Sequence, residues 1–232
     1  MSELEARHVV VTGATGGLGV AVVERLLASG ATCHLPCEES RVPAHVPWGA
    51  HERVDVTLDH DVGDESRTDA YYAELPPLWA SVHLVGGFAM GPVAETSLAE
   101  LEHMHALNVR TCFLCCRAAV NSMRREGRGG RIVNVAARPA LEPVADMTAY
   151  AAAKAAVAAL TRSLAVELRD EGILTNAIVP SIIDTPANRQ AMPDADFDLW
   201  PSPREIAETI AFLCSPANAL TSGSLVPIYG RA

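Results

Sequence analysis

The chain has 232 residues, of which 49% are hydrophobic and 5% aromatic, so it is long enough to bury one sizeable core. Its formal net charge of −10 argues against a nucleic-acid binder or an anionic-membrane protein. No apolar run approaches the length of a membrane span, and residues 1–6 lack the basic and apolar regions of a signal peptide. The composition therefore predicts a cytoplasmic protein whose six cysteines are mostly reduced.

The amino-terminal residues predict a strand, a glycine-rich turn and a helix in direct succession. The apolar run from His8 to Thr12 has the length of a strand, and an apolar helical stretch runs from Val20 to Ala28. Glycines in the turn between them let the backbone approach a pyrophosphate, and the start of the helix offers N–H donors and a partial positive charge. This succession predicts a nucleotide site.

Strand and helix signals alternate along the rest of the chain. Strands are predicted at residues 31–35, 53–56, 81–85, 131–135, 173–179 and 225–228, and helices at residues 98–125, 148–169 and 203–214. Residues 184–203 contain several prolines and no clear period, which predicts a loop or a short-helix flap. The alternation predicts an α/β fold with a doubly wound parallel sheet of about seven strands, a Rossmann fold, in a single domain covering residues 1–232.

One pair of side chains in the helix predicted at 148–169 suggests acid–base chemistry. Tyr150 and Lys154 are four residues apart, so both project from one face of the helix. A nearby ammonium group favours the phenolate and lowers the pKa of a tyrosine, which brings this weak acid toward proton transfer near neutral pH. The alternative is an ordinary surface pair on an alanine-rich helix, and the nucleotide site favours the catalytic interpretation.

These motifs together resemble the short-chain dehydrogenase/reductase family. The glycine pattern of that family, Thr-Gly-x3-Gly-x-Gly, is met by residues 12–19, and its Tyr-x3-Lys pair is met by Tyr150 and Lys154. Asn108 matches the family's helix asparagine, and residues 130–135 match the strand that normally leads to the catalytic serine. The resemblance covers essentially the whole chain and implies an NAD(P)H-dependent oxidoreductase with a small-molecule substrate.

The chain departs from the family pattern at three places. They are Ala137 at the serine position, His83-Leu84-Val85-Gly86-Gly87-Phe88 in place of the Asn-Asn-Ala-Gly motif, and Pro180-Ser181 in place of Pro-Gly. With the residues between 180 and 226, these features are similar to the dihydropteridine reductase branch, which also lacks the serine and keeps the tyrosine and lysine.

The resemblance implies three sets of site residues. The catalytic residues would be Tyr150, Lys154 and Asn108. The cofactor would contact Thr12, Gly13, Thr15, Gly17, Leu18, Gly19, Glu38, Asp55, Gly86, Lys154 and Pro180. The substrate would contact Phe88, Ala137 and Asn188.

Cofactor preference depends on the residues after the second strand. Cys37 takes the position of the family's aspartate for NADH, and Glu38 takes the position of its arginine for the NADPH phosphate. Glu38 would repel a 2′-phosphate, whereas Arg41 could accept one. The sequence therefore predicts NADH or NADPH, with NADH at least as good.

The missing serine has a chemical meaning. Such a hydroxyl stabilises charge on a carbonyl oxygen, and an oxyanion donor can be worth about 100-fold or more in rate. A conjugated ring accepts hydride without localising charge on one oxygen, so the expected reaction is reduction of a small conjugated ring, such as a quinonoid dihydropteridine, with Tyr150 as proton donor. The alternatives are a ketone or 3-oxoacyl reductase, and a nucleotide-binding or non-redox protein on the same fold.

Two further predictions concern partners and metals. Small residues cover nearly every face of the helix that begins near Tyr150, and the family associates through this helix, so a homodimer or homotetramer is expected. The apolar run 111–116 contains three cysteines, with His103 and His105 nearby. Their spacing fits no paired-ligand pattern, so no metal site is predicted.

Overall fold

The fold is built on one sheet of parallel strands. The computed structural model describes residues 3–231, so residues 1, 2 and 232 of the predicted domain 1–232 lie outside the described part. The strands are β1 His8–Thr12, β2 Thr32–Pro36, β3 Val54–Thr57, β4 Ala80–His83, β5 Gly130–Val135, β6 Ile173–Pro180 and β7 Leu225–Ile228. They pair in the order β3-β2-β1-β4-β5-β6-β7, and every pair is parallel.

Helices cover both faces of the sheet. They are α1 Gly17–Ala28, α2 Glu65–Glu74, α3 Leu98–His105, α4 Thr111–Arg124, α5 Thr148–Glu167, α6 Pro186–Ala191 and α7 Pro203–Cys214. Because side chains alternate along a strand, Val9 and Val11 of β1 pack against α1 and α7, whereas Val10 packs in the layer of α2, α4 and α5. Burial on both faces explains the nearly continuous apolar character of β1.

The topology places a crevice at the carboxyl ends of the strands. β1 lies between β2 and β4, so the chain changes its winding direction beside β1. Ligands bind at such a switch point in open α/β sheets. The glycine-rich turn after β1, Cys37 after β2 and Leu84 after β4 therefore meet at one edge.

The predicted fold is confirmed, with two differences in the helices. The sequence pattern does not reveal α2, because its buried residues are only Thr68, Tyr71 and Tyr72. Its start is marked instead by the N-cap Asp64, whose side chain accepts a hydrogen bond from the Arg67 amide. The helix predicted at 98–125 contains a π-helical turn at Ala106–Arg110. Within the described residues, no helix combines the length and the apolar character that crossing a bilayer requires.

Candidate active site

The glycine-rich turn presents unpaired backbone N–H groups to the crevice. The N-cap of α1 is Gly16, which has no side chain to accept hydrogen bonds from the first turn. Gly13 has a φ of 68°, and a Cβ on Gly19 would lie 2.1 Å from the Gly13 carbonyl oxygen, so both positions require glycine. The first-turn N–H groups of Gly17, Leu18 and Gly19, together with the helix dipole, suit a phosphate group.

A cavity of about 520 Å³ extends from this turn to the ends of β2 and β3 and to the π-helical turn. The predicted cofactor residues Gly13, Thr15 and Glu38 line it. Thr12 lies just behind the turn, and its hydroxyl is buried without a hydrogen-bond partner among the described residues. Leu18 lies in the first turn of α1 and packs against the core.

The structure places Asp55, which was predicted to contact the cofactor, away from the cavity. Asp55 lies inside β3, where its carboxylate is 3.3 Å from Nδ1 of His34, and it does not line the cavity. Asp61 and Val62 line that wall instead, because the turn after β3 bends back toward the crevice. Asp61 accepts a hydrogen bond of 2.6 Å from the Gly63 amide, which fixes this turn.

The nucleotide end of the cavity is acidic and exposed. Glu38 and Glu39 both line it, and the Thr15 hydroxyl donates a 2.6 Å hydrogen bond to Glu39. The ring of His45 lies 3.0 Å from the Thr15 carbonyl oxygen. Arg110 on the π-helical turn also lines the cavity. Two carboxylates therefore line this end of the cavity, and the predicted opposition of Glu38 to a 2′-phosphate stays a prediction.

Lys154 and Asn108 converge on the backbone at Gly86. A Cβ on Gly86 would lie 2.6 Å from Oδ1 of Asn108 and 3.2 Å from Nζ of Lys154. Lys154 is only 6% exposed, and its ammonium donates a 2.9 Å hydrogen bond to the Val135 carbonyl oxygen. Burial lowers the pKa of Lys154 to about 8.

Tyr150 is held protonated at neutral pH. Burial raises the pKa of Tyr150 to about 12. Nζ of Lys154 lies 5.9 Å from the centre of the Tyr150 ring and hydrogen-bonds to Val135. In this arrangement burial outweighs the lowering of the Tyr150 pKa that the sequence predicted from Lys154. A protonated phenol is suited to donate a proton to a substrate rather than to accept one.

Asn108 is fixed by the π-helical turn. Its side-chain amide donates hydrogen bonds to the carbonyl oxygens of Met104 at 2.9 Å and Gly87 at 3.1 Å. Its side-chain oxygen accepts a 3.2 Å hydrogen bond from the Gly87 amide. The asparagine therefore connects the long helix to the loop that follows β4. π-helical turns occur frequently at functional sites.

Phe88 and Ala137 give the catalytic end an apolar character. The ring centroids of Phe88 and Tyr150 are 5.0 Å apart at an interplanar angle of 76°, an edge-to-face contact. Phe88 is 59% exposed, so much of its ring is accessible. Ala137 is buried directly after β5, where it precedes a short 3₁₀ turn at Arg138–Ala140. It supplies no hydroxyl at this position.

The flap packs on the glycine-rich turn. A Cβ on Gly17 would lie 2.9 Å from Cγ2 of Thr185, so the two segments are in close contact. Asn188 holds the flap together internally, because its side-chain amide donates a 2.8 Å hydrogen bond to the Ile183 carbonyl oxygen. The Asn188 side-chain nitrogen is therefore used within the flap. The sequence predicted that this residue contacts the substrate. Pro180 ends β6 beside Ile228 of β7.

Sequence reasoning missed several residues of the crevice, among them Glu39, Asp61, Arg110 and Thr185. Asp61-Val62 could have been found as the first acidic and apolar pair after the end of β3. The contact of Thr185 with Gly17 has no local sequence signal.

Comparison with known proteins agrees with this geometry. A family model described as short chain dehydrogenase matches residues 7–196. The 2,5-dichloro-2,5-cyclohexadiene-1,4-diol dehydrogenase of Sphingobium indicum is 32% identical, with 99% of this chain and 98% of that protein covered. Levodione reductase of Leifsonia aquatica is 31% identical, with 97% and 93% covered. A crystal structure of levodione reductase matches with a TM-score of 0.88 at 30% identity, covering 98% of this chain and 97% of that one.

The chain therefore belongs to the short chain dehydrogenase family, a family of oxidoreductases. The predicted family and its Rossmann-type fold are confirmed. The relatives are various dehydrogenases and reductases, so the resemblance to the dihydropteridine reductase branch stays a prediction.

Proposed function

We propose that the protein is a nicotinamide-dependent reductase of a small conjugated ring carbonyl, with Tyr150 as the proton donor. The observation that carries this proposal is the combination of a largely buried phenol, which is protonated at neutral pH, and a buried alanine where the family has its serine. The Phe88 ring against Tyr150 offers an apolar surface on which a flat ring can stack.

The described residues suit a dinucleotide in two places. The uncapped start of α1 matches a pyrophosphate, and Lys154 and Asn108 at Gly86 provide polar groups at the opposite end. A nicotinamide cofactor supplies hydride when it is bound. The carboxylates of Glu38 and Glu39 favour a ribose with free hydroxyls, so we expect NADH to serve at least as well as NADPH.

The chain's own residues then handle one proton and one developing charge. Tyr150 transfers its proton to the substrate as hydride arrives, and the Lys154 ammonium stabilises the phenolate that remains. A saturated ketone would place the developing charge on one oxygen, where Ala137 provides no donor. A conjugated ring, such as a quinonoid dihydropteridine, spreads that charge over several atoms and needs this donor less.

The second candidate is the reduction of an ordinary ring ketone, or the oxidation of the corresponding ring alcohol. It is favoured by relatives of this chain, since one is named for a cyclohexadiene diol and another for a dione. In this case, another hydrogen-bond donor would replace the missing serine.

The experiment is dinucleotide oxidation by the wild-type protein with matched substrates. NADH and NADPH are each tested with a quinonoid dihydropteridine, a conjugated cyclic dione and cyclohexanone, and binding of each dinucleotide is measured by calorimetry. We expect kcat/KM for the conjugated rings to exceed that for cyclohexanone by about 100-fold, the worth of one oxyanion donor. Equal rates would establish the second candidate. No binding of either dinucleotide at millimolar concentration would overturn both and favour a non-redox role.

We also propose that the protein is a homodimer or homotetramer. Small exposed residues follow one face of α5, including Ala152, Ala155 and Ala159, and Val166 is 65% exposed farther along that face. Phe113 on α4 is 47% exposed. These residues allow a second copy to pack closely on α4 and α5. A monomer mass in light scattering at micromolar concentration would refute this association.

A further inference from the structure

Three side chains with metal-binding chemistry meet between α4 and the sheet. Cys112 and Cys116 lie one turn apart on α4, and His83 ends β4. One ligand atom from each of the three lies within 4.8 Å of the others, and all three side chains are buried. Both cysteines are free thiols. The sequence had suggested His103 or His105 as neighbours of these cysteines, but the fold brings His83 to them instead.

Two of the distances in the cluster resemble the edges of a tetrahedral cation site, and Sγ of Cys112 lies within 4.8 Å of the His83 and Cys116 ligand atoms. Sγ of Cys116 lies 3.5 Å from Nδ1 of His83 and 3.5 Å from Oδ1 of Asn134. With Zn–S bonds of about 2.3 Å and Zn–N or Zn–O bonds of about 2.1 Å, the S···N and S···O edges of a tetrahedron are roughly 3.5 Å. Nδ1 of His83 and Oδ1 of Asn134 are 2.8 Å apart. They would have to separate by roughly half an ångström to match a tetrahedral edge.

We propose that His83, Cys112 and Cys116 bind a thiophilic d¹⁰ cation, for which Zn²⁺ is the natural probe, with the Asn134 side-chain oxygen as the fourth donor. Soft thiolates and an imidazole are the ligands that select such an ion. Two thiolates neutralise the charge of a divalent cation. This suits a buried site, because burying an uncompensated charge is costly. Four protein donors leave no open coordination position, so the site is structural.

The ligands are already oriented by hydrogen bonds from neighbouring elements. The other ring nitrogen of His83 lies 2.8 Å from the Ser81 hydroxyl, which in turn lies 3.0 Å from the Tyr72 hydroxyl. The Asn134 side-chain nitrogen donates a 3.0 Å hydrogen bond to the Thr161 hydroxyl, which leaves its oxygen directed at the cluster. Such outer partners fix the tautomer and ring orientation of a ligating histidine. A bound cation would join α4 to β4 and β5.

The test measures metal in the purified protein. Because the ligands are enclosed, the protein is produced in zinc-supplemented medium, and a second sample is refolded under reducing conditions with Zn²⁺ and passed through a chelating column. We expect one equivalent of zinc, two sulfur ligands by X-ray absorption spectroscopy and a melting temperature raised by roughly 5–10 °C. Cd²⁺ loading should give a thiolate charge-transfer band in the ultraviolet.

Cysteine variants distinguish metal binding at the proposed site from binding at the other buried thiols. Cys112→Ala/Cys116→Ala should lose the zinc, the charge-transfer band and the thermal shift. Cys115→Ala is the matched control, because Cys115 is buried on the same helix but lies outside the cluster, and it should keep all three. Circular dichroism establishes that each variant folds. Zinc retained by the double variant, a coordination shell without two sulfurs, or a wild type without metal after both treatments would overturn the proposal.

Discussion

The two ends of the crevice are built from opposite kinds of surface. At the catalytic end, Lys154 and Asn108 are buried and hydrogen-bonded to backbone groups around Gly86. At the nucleotide end, Glu38 and Glu39 are exposed, and Glu39 accepts a hydrogen bond from the Thr15 hydroxyl. Coulomb interactions are strong in the first environment and screened by water and salt in the second.

This difference indicates how each end can change. A buried polar group at the catalytic end has a required partner, so its loss affects both chemistry and stability. An exposed carboxylate at the nucleotide end can be replaced with little cost to the fold. Reaction chemistry is therefore fixed by the buried end, and cofactor preference can vary at the exposed end.

The largest effect is expected from removing the phenol. Tyr150→Phe keeps the ring and its contact with Phe88 but removes the proton donor. Turnover should fall by about 100- to 10,000-fold, with dinucleotide affinity little changed. Steady-state kinetics and calorimetry measure the two quantities. Tyr71→Phe on α2 is the control for loss of a buried hydroxyl, and a Tyr150→Phe enzyme with normal turnover would remove Tyr150 from the mechanism.

Lys154→Met should separate function from stability. The fold lowers the pKa of Lys154 from 10.5 to about 8, so burying its ammonium costs stability below pH 8. That cost disappears between about pH 8 and 10.5, because the native lysine is then neutral while the unfolded one still binds a proton. We expect the variant to be more stable by roughly 1–3 kcal/mol at pH 6, and the gain to vanish near pH 10.5.

The same variant should lose about 100-fold in activity, since it removes a buried charge beside the reacting groups. Urea denaturation at pH 6 and pH 10 checks the stability difference. A variant that is less stable at pH 6 would mean that the hydrogen bond to Val135 outweighs the desolvation of the ammonium.

Ala137→Ser should change the substrate preference. The new hydroxyl provides a donor for an oxygen that carries localised charge, so it should help a saturated ketone more than a conjugated ring. The ratio of their kcat/KM values should shift toward the ketone by about 10- to 100-fold. Ala140→Ser, in the 3₁₀ turn just beyond, controls for an added hydroxyl. If the wild type already reduces ketones fast and Ala137→Ser leaves the ratio of kcat/KM values unchanged, Ala137 does not determine the substrate.

The smallest effect is expected at the exposed end. Glu38→Gln removes one negative charge from the nucleotide end of the cavity, so the NADPH-to-NADH ratio of kcat/KM should rise by about 5-fold, the worth of roughly 1 kcal/mol. Salt should reduce the effect, since the charge is exposed. Glu24→Gln on the exposed side of α1 is the matched control. A ratio that does not respond to Glu38→Gln would leave Glu39 as the carboxylate to test.

The sequence predicted the scaffold better than the contacts within it. Apolar runs and glycines indicate local geometry, so the strands, the glycine-rich turn and the helix with Tyr150 and Lys154 could be predicted from the sequence. The direction of the Lys154 ammonium could not, because it depends on the Val135 carbonyl in another element. The pKa of Tyr150 likewise follows from burial, which spacing alone does not reveal.

The same limit of sequence-based prediction applies to the flap and to the cluster of His83, Cys112 and Cys116. Asn188 matched a family position, but its amide is used by the Ile183 carbonyl five residues away. Cys112 and Cys116 had a visible helical spacing, yet their partner His83 comes from a strand. Long-range partners of polar side chains were thus the part of the site that could not be predicted.

The π-helical turn at Ala106–Arg110 has a consequence for the phase of the long helix. Such a turn inserts one extra residue, so the segments before and after it are offset by about 100° from a continuous α-helix. Four buried residues lie along this helix at a constant spacing of four: Met104, Asn108, Cys112 and Cys116. In a regular helix of 3.6 residues per turn, that spacing would rotate the later side chains away from the sheet. If the same residues formed a regular α-helix throughout, Met104 and the two cysteines would lie on different faces, whereas deleting the one extra residue would make the helix regular and keep them on one face.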